Sequence, residues 1–233
     1  MLEAINIFKD YKGQKALNHI SFKVEMGEIF CLVGANGAGK STAIKIFTGQ
    51  LSPTSGSANV DGYNTATEFE TIKYKIAYIP ENLMLYGHLN AIENLDLFCS
   101  VSNLKYSTNE LNSFLTQAGL HADHFEKRLE NYSKGMRQKV GIAYAIAKKA
   151  AFLFLDEPTS GLDPKSIIEF SEIIKQLSAS GITILMTSHD LHRSINDADK
   201  IGIMKDGNLL EVIDTKSCSY NELETKYMNY MIA

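Results

Sequence analysis

The chain has 233 residues, 45% of them hydrophobic and 21% charged, with a net charge of −4. That is ordinary globular usage, in a chain long enough to bury a core without disulfide or metal staples. The acidic balance counts against a broad nucleic-acid-binding face, and the lack of any uninterrupted apolar run of about 18 residues counts against a membrane span. Met1-Leu2-Glu3-Ala4 has no basic n-region, and Cys31, Cys99 and Cys218 are scattered without metal-ligand spacing. Both features predict a reducing, cytosolic setting.

Residues 2–24 read as antiparallel strands, with Ile5, Ile7, Ile20, Phe22 and Val24 alternating with polar neighbours. Glu28 to Val33 is a buried strand running into a glycine, and Lys40 to Phe47 has helical spacing closed by Thr48-Gly49. From residue 89 to 127 no strand is predicted; Ala91–Val101 and Asn109–Ala118 are amphipathic helices, so about 89–150 reads as a helical block inserted in an α/β core. Ala151–Leu155, Ile182–Met186 and Ile201–Met204 are further apolar strands. Asp206-Gly207 then turns the last of these into Asn208–Ile213, and Tyr220–Tyr230 reads as a terminal helix. Apolar strands separated by helices predict a parallel sheet covered on both faces, within one domain spanning 1–233.

Gly34-Ala35-Asn36-Gly37-Ala38-Gly39-Lys40-Ser41 fits G-x-x-x-x-G-K-[ST] between a strand and a helix. Glycines allow successive backbone N–H groups to surround phosphate oxygens at a helix N-terminus. Lys40 supplies charge for β- and γ-phosphates, and the Ser41 hydroxyl suits Mg²⁺. The strand Phe152–Leu155 delivers Asp156-Glu157, a metal-holding carboxylate followed by a candidate general base; the competing reading is a strand stopped by Pro158. His189 follows the strand at Ile182–Met186, on the edge where open α/β sheets bind ligands; by spacing alone it is either a γ-phosphate contact or a loop histidine. His121 and His124 lack a third ligand and predict no metal site.

In this order the motifs resemble the nucleotide-binding subunit of an ATP-binding cassette (ABC) transporter over nearly the whole chain. Gly34–Ser41 resembles Walker A, and Phe152–Asp156 with Glu157 resembles Walker B and its catalytic glutamate. Tyr132-Ser133-Lys134-Gly135-Met136 resembles the signature L-S-G-G-Q, which other P-loop ATPases lack. Ser160–Asp163 resembles the D-loop, His189 the switch histidine, and Tyr11 the aromatic that stacks on adenine.

The resemblance implies a P-loop α/β core with an N-terminal antiparallel β subdomain and an inserted helical one. It implies ATP hydrolysis with Mg²⁺, Glu157 and His189 being catalytic. Tyr11, Gly34, Asn36, Gly37, Gly39, Lys40, Ser41, Thr42, Ser133, Gly135 and Asp163 would bind nucleotide, and Ser41, Asp156 and Glu81 would face the metal. Two cassettes would pack head-to-tail, and integral membrane permease subunits would hold the pair on the cytoplasmic face. Lys134 and Met136 depart from the signature's glycine and glutamine, and Glu81 replaces the usual Q-loop glutamine. Such departures are similar to those in cassettes of polytopic-permease exporters. Lys134 either points to solvent or adds charge near phosphate. Of Leu83-Met84-Leu85-Tyr86, half is expected in the core and half in a groove for a short permease helix. The alternative function is a soluble ABC ATPase that remodels a protein assembly.

Overall fold

The computed structural model describes residues 1–232. In chain order the strands and helices are β1 (Leu2–Tyr11), β2 (Gln14–Val24), β3 (Ile29–Val33), α1 (Lys40–Phe47), β4 (Ser55–Val60), β5 (Tyr63–Asn64), α2 (Phe69–Ile72) and β6 (Ile76–Ile79). The helices α3 (Ala91–Val101), α4 (Thr108–Gln117) and α5 (Lys134–Ala147) follow, then β7 (Phe152–Leu155), α6 (Pro164–Ala179) and β8 (Thr183–Ser188). The chain continues through α7 (Leu191–Asp197), β9 (Lys200–Lys205), β10 (Asn208–Asp214) and α8 (Tyr220–Ile232).

The larger sheet has the order β10-β9-β3-β8-β7-β6. All neighbouring strands are parallel except β10, which returns antiparallel on β9 through Asp206-Gly207. Both turn residues have positive φ, 47° and 78°, as a two-residue hairpin of matching twist requires. The central strands are apolar throughout because their two faces enter two different cores. Phe30, Leu32, Phe152, Phe154 and Leu185 face α1 and the smaller sheet. Cys31, Val33, Leu153, Leu155, Ile184 and Met186 face the helices of the other side. Phe47 of α1 stacks with Phe154 at 6.0 Å between centroids, and Phe22 with Phe30 at 4.9 Å. Burying each such ring contributes about 1.5–3 kcal/mol, so α1 is fixed to the sheet directly behind the loop that precedes it.

The smaller sheet, β2-β1-β4-β5, is antiparallel. Its inward face differs from the simple alternation expected of residues 2–24. Leu2 and Ala4 are buried, Ile5 is exposed, and Ile7 is buried again. Asn6 has φ 51° and the register shifts between Ala4 and Ile7, so a bulge resets the parity: Ile5 faces outward in step with Leu2 and Ala4, and Ile7 is turned back inward.

Helices α3, α4 and α5 lie between β6 and β7 in sequence. Capping boxes start α3 (Asn90 with Glu93) and α4 (Ser107 with Glu110). The buried Asn94 side chain clamps the preceding segment, accepting from Tyr86 N and donating to the carbonyls of Tyr86 and Asn90. That segment alternates: Leu83 and Leu85 pack on the core, while Met84 and Tyr86 are exposed. No helix among the described residues is long and apolar enough to cross a membrane.

Candidate active site

β3 lies between β8 and β9, so the loop from Gly34 to Gly39 emerges at the centre of the sheet's C-terminal edge. Gly39 caps α1 with φ 102°, and a Cβ there would lie 2.4 Å from the Ala16 carbonyl oxygen. Only glycine allows the loop to pass so close to β2. Lys40 is almost fully buried, and its ammonium donates to the carbonyls of Gly34 (2.7 Å) and Ala35 (3.2 Å). The lysine thus curls back over its own loop.

The strand ends bring the acidic pair to the same place. The Asp156 Oδ1 atom accepts from Ser41 Oγ at 2.9 Å and from Thr187 Oγ1 at 2.7 Å. Glu157 has φ 45°, an unfavourable region for a non-glycine residue, and its N–H donates to Thr187 Oγ1 at 2.9 Å. His189 Nδ1 lies 2.8 Å from Glu157 Oε2. Lys40 Nζ lies 3.3 Å from Oε1, close enough for ion pairing but not aligned as a hydrogen bond, so buried Oε1 has no hydrogen-bond partner. Glu81 Oε1 accepts from Ser160 Oγ at 3.2 Å, tying the segment after β6 to the loop after β7. Burial, reinforced by the Asp156 charge, pushes the Tyr78 phenol up to about 12, which keeps it neutral beside the carboxylates.

The phosphate loop, Glu81 and Glu157 line one cleft of about 400 Å³ together with Tyr11, Gln14, Lys15 and Ala16, and Asp156 and His189 adjoin it through their bonds to Ser41 and Glu157. Tyr11 is half exposed at its mouth, with Lys9 Nζ 5.1 Å from its ring centroid. Gln14, Lys15 and Ala16 were not among the residues predicted. They reach the cleft because the β1–β2 hairpin folds over the loop, a long-range contact with no local sequence signal. Thr187 was likewise missed.

Three predicted residues lie elsewhere. Ser133, Gly135 and Asp163 line a second cavity, where the starts of α5 and α6 meet. Ser133 caps α5, its Oγ accepting from Met136 N at 3.2 Å, which leaves its hydroxyl proton free to donate. Asp163 caps α6 by accepting from Ser166 N and Oγ, and these bonds hold its carboxyl below the usual range. Gly135 is buried against Ser166, whose Oγ would lie 2.9 Å from an added Cβ. Lys139 bonds Glu169 at 2.6 Å and locks α5 to α6. Asp163 therefore accompanies the Ser133 segment and not the phosphate loop. Lys134 lies over Gly161, with Nζ 3.9 Å from where its Cβ would be.

A buried strand, a glycine loop opening a helix, and strand-end carboxylates beside a buried lysine define a P-loop nucleoside-triphosphatase fold. The ABC transporter family matches residues 17–160. The chain is 35% identical to the linearmycin resistance ATP-binding protein LnrL of Bacillus subtilis (strain 168), covering 94% of this chain and 71% of that protein. It is 36% identical to the lantibiotic transport ATP-binding protein SrtF of Streptococcus pyogenes, covering 90% of this chain and 89% of that one. A solved ATP-binding subunit of an ABC transporter superposes with a TM-score of 0.83 at 31% identity, over 98% of this chain and 99% of that one. A dimeric ATP-binding cassette in a post-hydrolysis state with ADP and Pi superposes with a TM-score of 0.83 at 25% identity, over 94% of this chain and all (100%) of that one. The chain belongs to the ABC transporter family as an ATP-binding subunit, and it is an ATPase.

Proposed function

We propose that residues 1–233 act as one ABC ATPase domain, with the helical block at about 89–150 inserted in its core, and that two such cassettes pair head-to-tail to power a membrane permease, most simply an exporter. The observation that carries this reading is the separation of the binding residues into two incomplete sites. One cleft holds the phosphate loop, Glu157 and Glu81, with Asp156 bonded to Ser41 at its floor; the other holds Ser133, Gly135 and Asp163. Facing two copies in opposite directions completes each cleft with the other copy's helix start, whose N–H groups and free hydroxyl suit a γ-phosphate.

Within the cleft, Tyr11 offers a ring for the adenine base, and Lys40 with the loop N–H groups orients the phosphates. Mg²⁺ fits the donor set of Ser41 and Asp156, with Glu81 alongside. Among the described residues no cluster of three or more His, Cys, Asp or Glu side chains would hold a metal unaided. A Mg²⁺ held by Ser41 and Asp156 would complete its shell with water and phosphate oxygens. When bound, it supplies charge that offsets phosphate repulsion. Glu157 Oε1 accepts no hydrogen bond and faces the Lys40 ammonium at 3.3 Å; with that ammonium engaged by phosphate, it is the oxygen that would take a proton from the attacking water. His189 steadies the other carboxylate oxygen through Nδ1, while its side chain stays 60% exposed.

Partner docking is assigned to the outward residues of the 83–86 segment. Leu85 packs on the core, so Met84 and Tyr86, 85% and 50% exposed, are the ones to change. Met84→Glu with Tyr86→Glu should abolish co-purification with the permease while leaving ATP binding intact. The direct test of the catalytic reading is Glu157→Gln, expected to bind ATP, to lose at least about 100-fold in turnover and to run as an ATP-dependent dimer on gel filtration. Wild-type turnover by that variant would remove Glu157 from the base role.

A further inference from the structure

We propose that Thr187 is a positioning residue for hydrolysis, its hydroxyl setting the main chain of Glu157 and one oxygen of Asp156 in fixed relation. This rests on the reading above, in which Glu157 is the base.

The register explains why a side chain is needed there. Parallel pairing of β7 with β8 ends at Leu155 opposite Met186, so the backbone beyond it leaves the ladder. Asp156 N still donates to the Ile79 carbonyl of β6 at 3.0 Å. Glu157, in its left-handed conformation, donates instead to the Thr187 hydroxyl. Thr187 is completely buried, so no water substitutes for it.

The direction of each hydrogen bond follows from the groups involved. An amide N–H only donates, so Thr187 Oγ1 accepts from Glu157; a carboxylate only accepts, so the Thr187 proton goes to Asp156 Oδ1. The same oxygen accepts from Ser41. The resulting path, Glu157 N–H to Thr187 to Asp156, met from the other side by Ser41, links the proposed base to the start of α1. Two residues further on, His189 grips the Glu157 carboxylate. The end of β8 therefore holds both ends of Glu157: Thr187 the main chain, His189 the side chain.

A purely structural hydroxyl, one that only satisfies a buried N–H, would change stability and leave the catalytic constants of folded protein alone. The experiment compares Thr187→Val, Thr187→Ser and Glu157→Gln in the full chain, with rates normalised to nucleotide-binding sites. Thr187→Val should lower kcat by about 10- to 100-fold with KM for ATP within about threefold of wild type. Thr187→Ser should restore kcat to within about threefold, and adding Thr187→Val to Glu157→Gln should cost nothing more. If Thr187→Val does not fold, Thr187→Cys carries the test, since a thiol is a poor donor of similar size; it too should lower kcat alone. Wild-type kcat in the Val or Cys variant, or a Ser variant as slow as Val, overturns the proposal. An active Glu157→Gln overturns the base reading by itself, whereas an inactive Glu157→Gln beside a normal Thr187→Val overturns only the role of Thr187.

Discussion

His189 Nδ1 lies 2.8 Å from Glu157 Oε2. The carboxylate accepts, so Nδ1 is the donor in this contact and the ring is held against the side chain of Glu157. Because the contact holds the proposed base and leaves the phosphate loop alone, His189→Ala should lower kcat by about 100-fold, with ATP affinity within about threefold. Steady-state kinetics with equilibrium nucleotide titration checks both parts. Loss of affinity at unchanged kcat would assign the ring to binding only.

The loop glycines differ in what surrounds them. Gly37 has φ 86° with nothing within 4 Å of an added Cβ, whereas Gly39 has φ 102° with the Ala16 oxygen at 2.4 Å. Gly37→Ala should therefore cost only backbone strain, about 1 kcal/mol. Gly39→Ala adds a backbone clash and should be worse by about 1–3 kcal/mol, with at least tenfold weaker ATP binding. Urea midpoints and nucleotide titrations of the pair distinguish the two costs.

The phosphate loop, the Asp156-Glu157 pair and the central strands were legible because their signals are local: spacing within eight residues, or an apolar run bounded by glycine and proline. Ser55–Val60 was not, since only Ala58 and Val60 face the core and β1 supplies the pairing that makes it a strand. Ile76–Ile79 is a four-residue edge strand, too short for a periodic pattern. Pro164–Ala179 has a readable start, an Asp163 cap with proline following. Alternation alone places Ile5 and Ile7 on one face, and the bulge at Asn6 that separates them has no local sequence signal. Gln14–Ala16 and Thr187 join the site through tertiary contacts, which no local spacing encodes.

The three thiols should separate by reactivity. Burial pushes Cys31 up to about 12 and Cys99 up to about 11, while Cys218 is partly exposed. With iodoacetamide at about pH 8, Cys218 should be alkylated first, and Cys31 and Cys99 only at the rate of unfolding. Peptide mass spectrometry of native and urea-treated protein reads this directly.

The Lys139–Glu169 bridge should make part of the stability pH-dependent. The hydrogen bond from Lys139, followed by its charge, holds the Glu169 carboxyl below its ordinary value. A depressed folded-state value means stabilisation is complete above the unfolded value of about 4.3 and is lost as pH falls through the folded one. The urea midpoint of wild type should exceed that of Glu169→Gln by a constant amount near neutrality, and the gap should narrow below about pH 4. A gap that widens with acid would contradict the ion-pair account.

The central claim is that each cleft is finished by the other copy's helix start, and complementation between two inactive variants tests it most directly. Lys40→Ala disables the phosphate loop and Ser133→Arg disables the signature side, so neither should hydrolyse ATP alone. In a mixed dimer one composite site joins an intact Lys40 to an intact Ser133. Mixing equal amounts should therefore restore ATPase activity to a substantial fraction of wild type, rising with the share of mixed dimers. A mixture as inactive as its components, with mixed dimers demonstrated, would contradict the account.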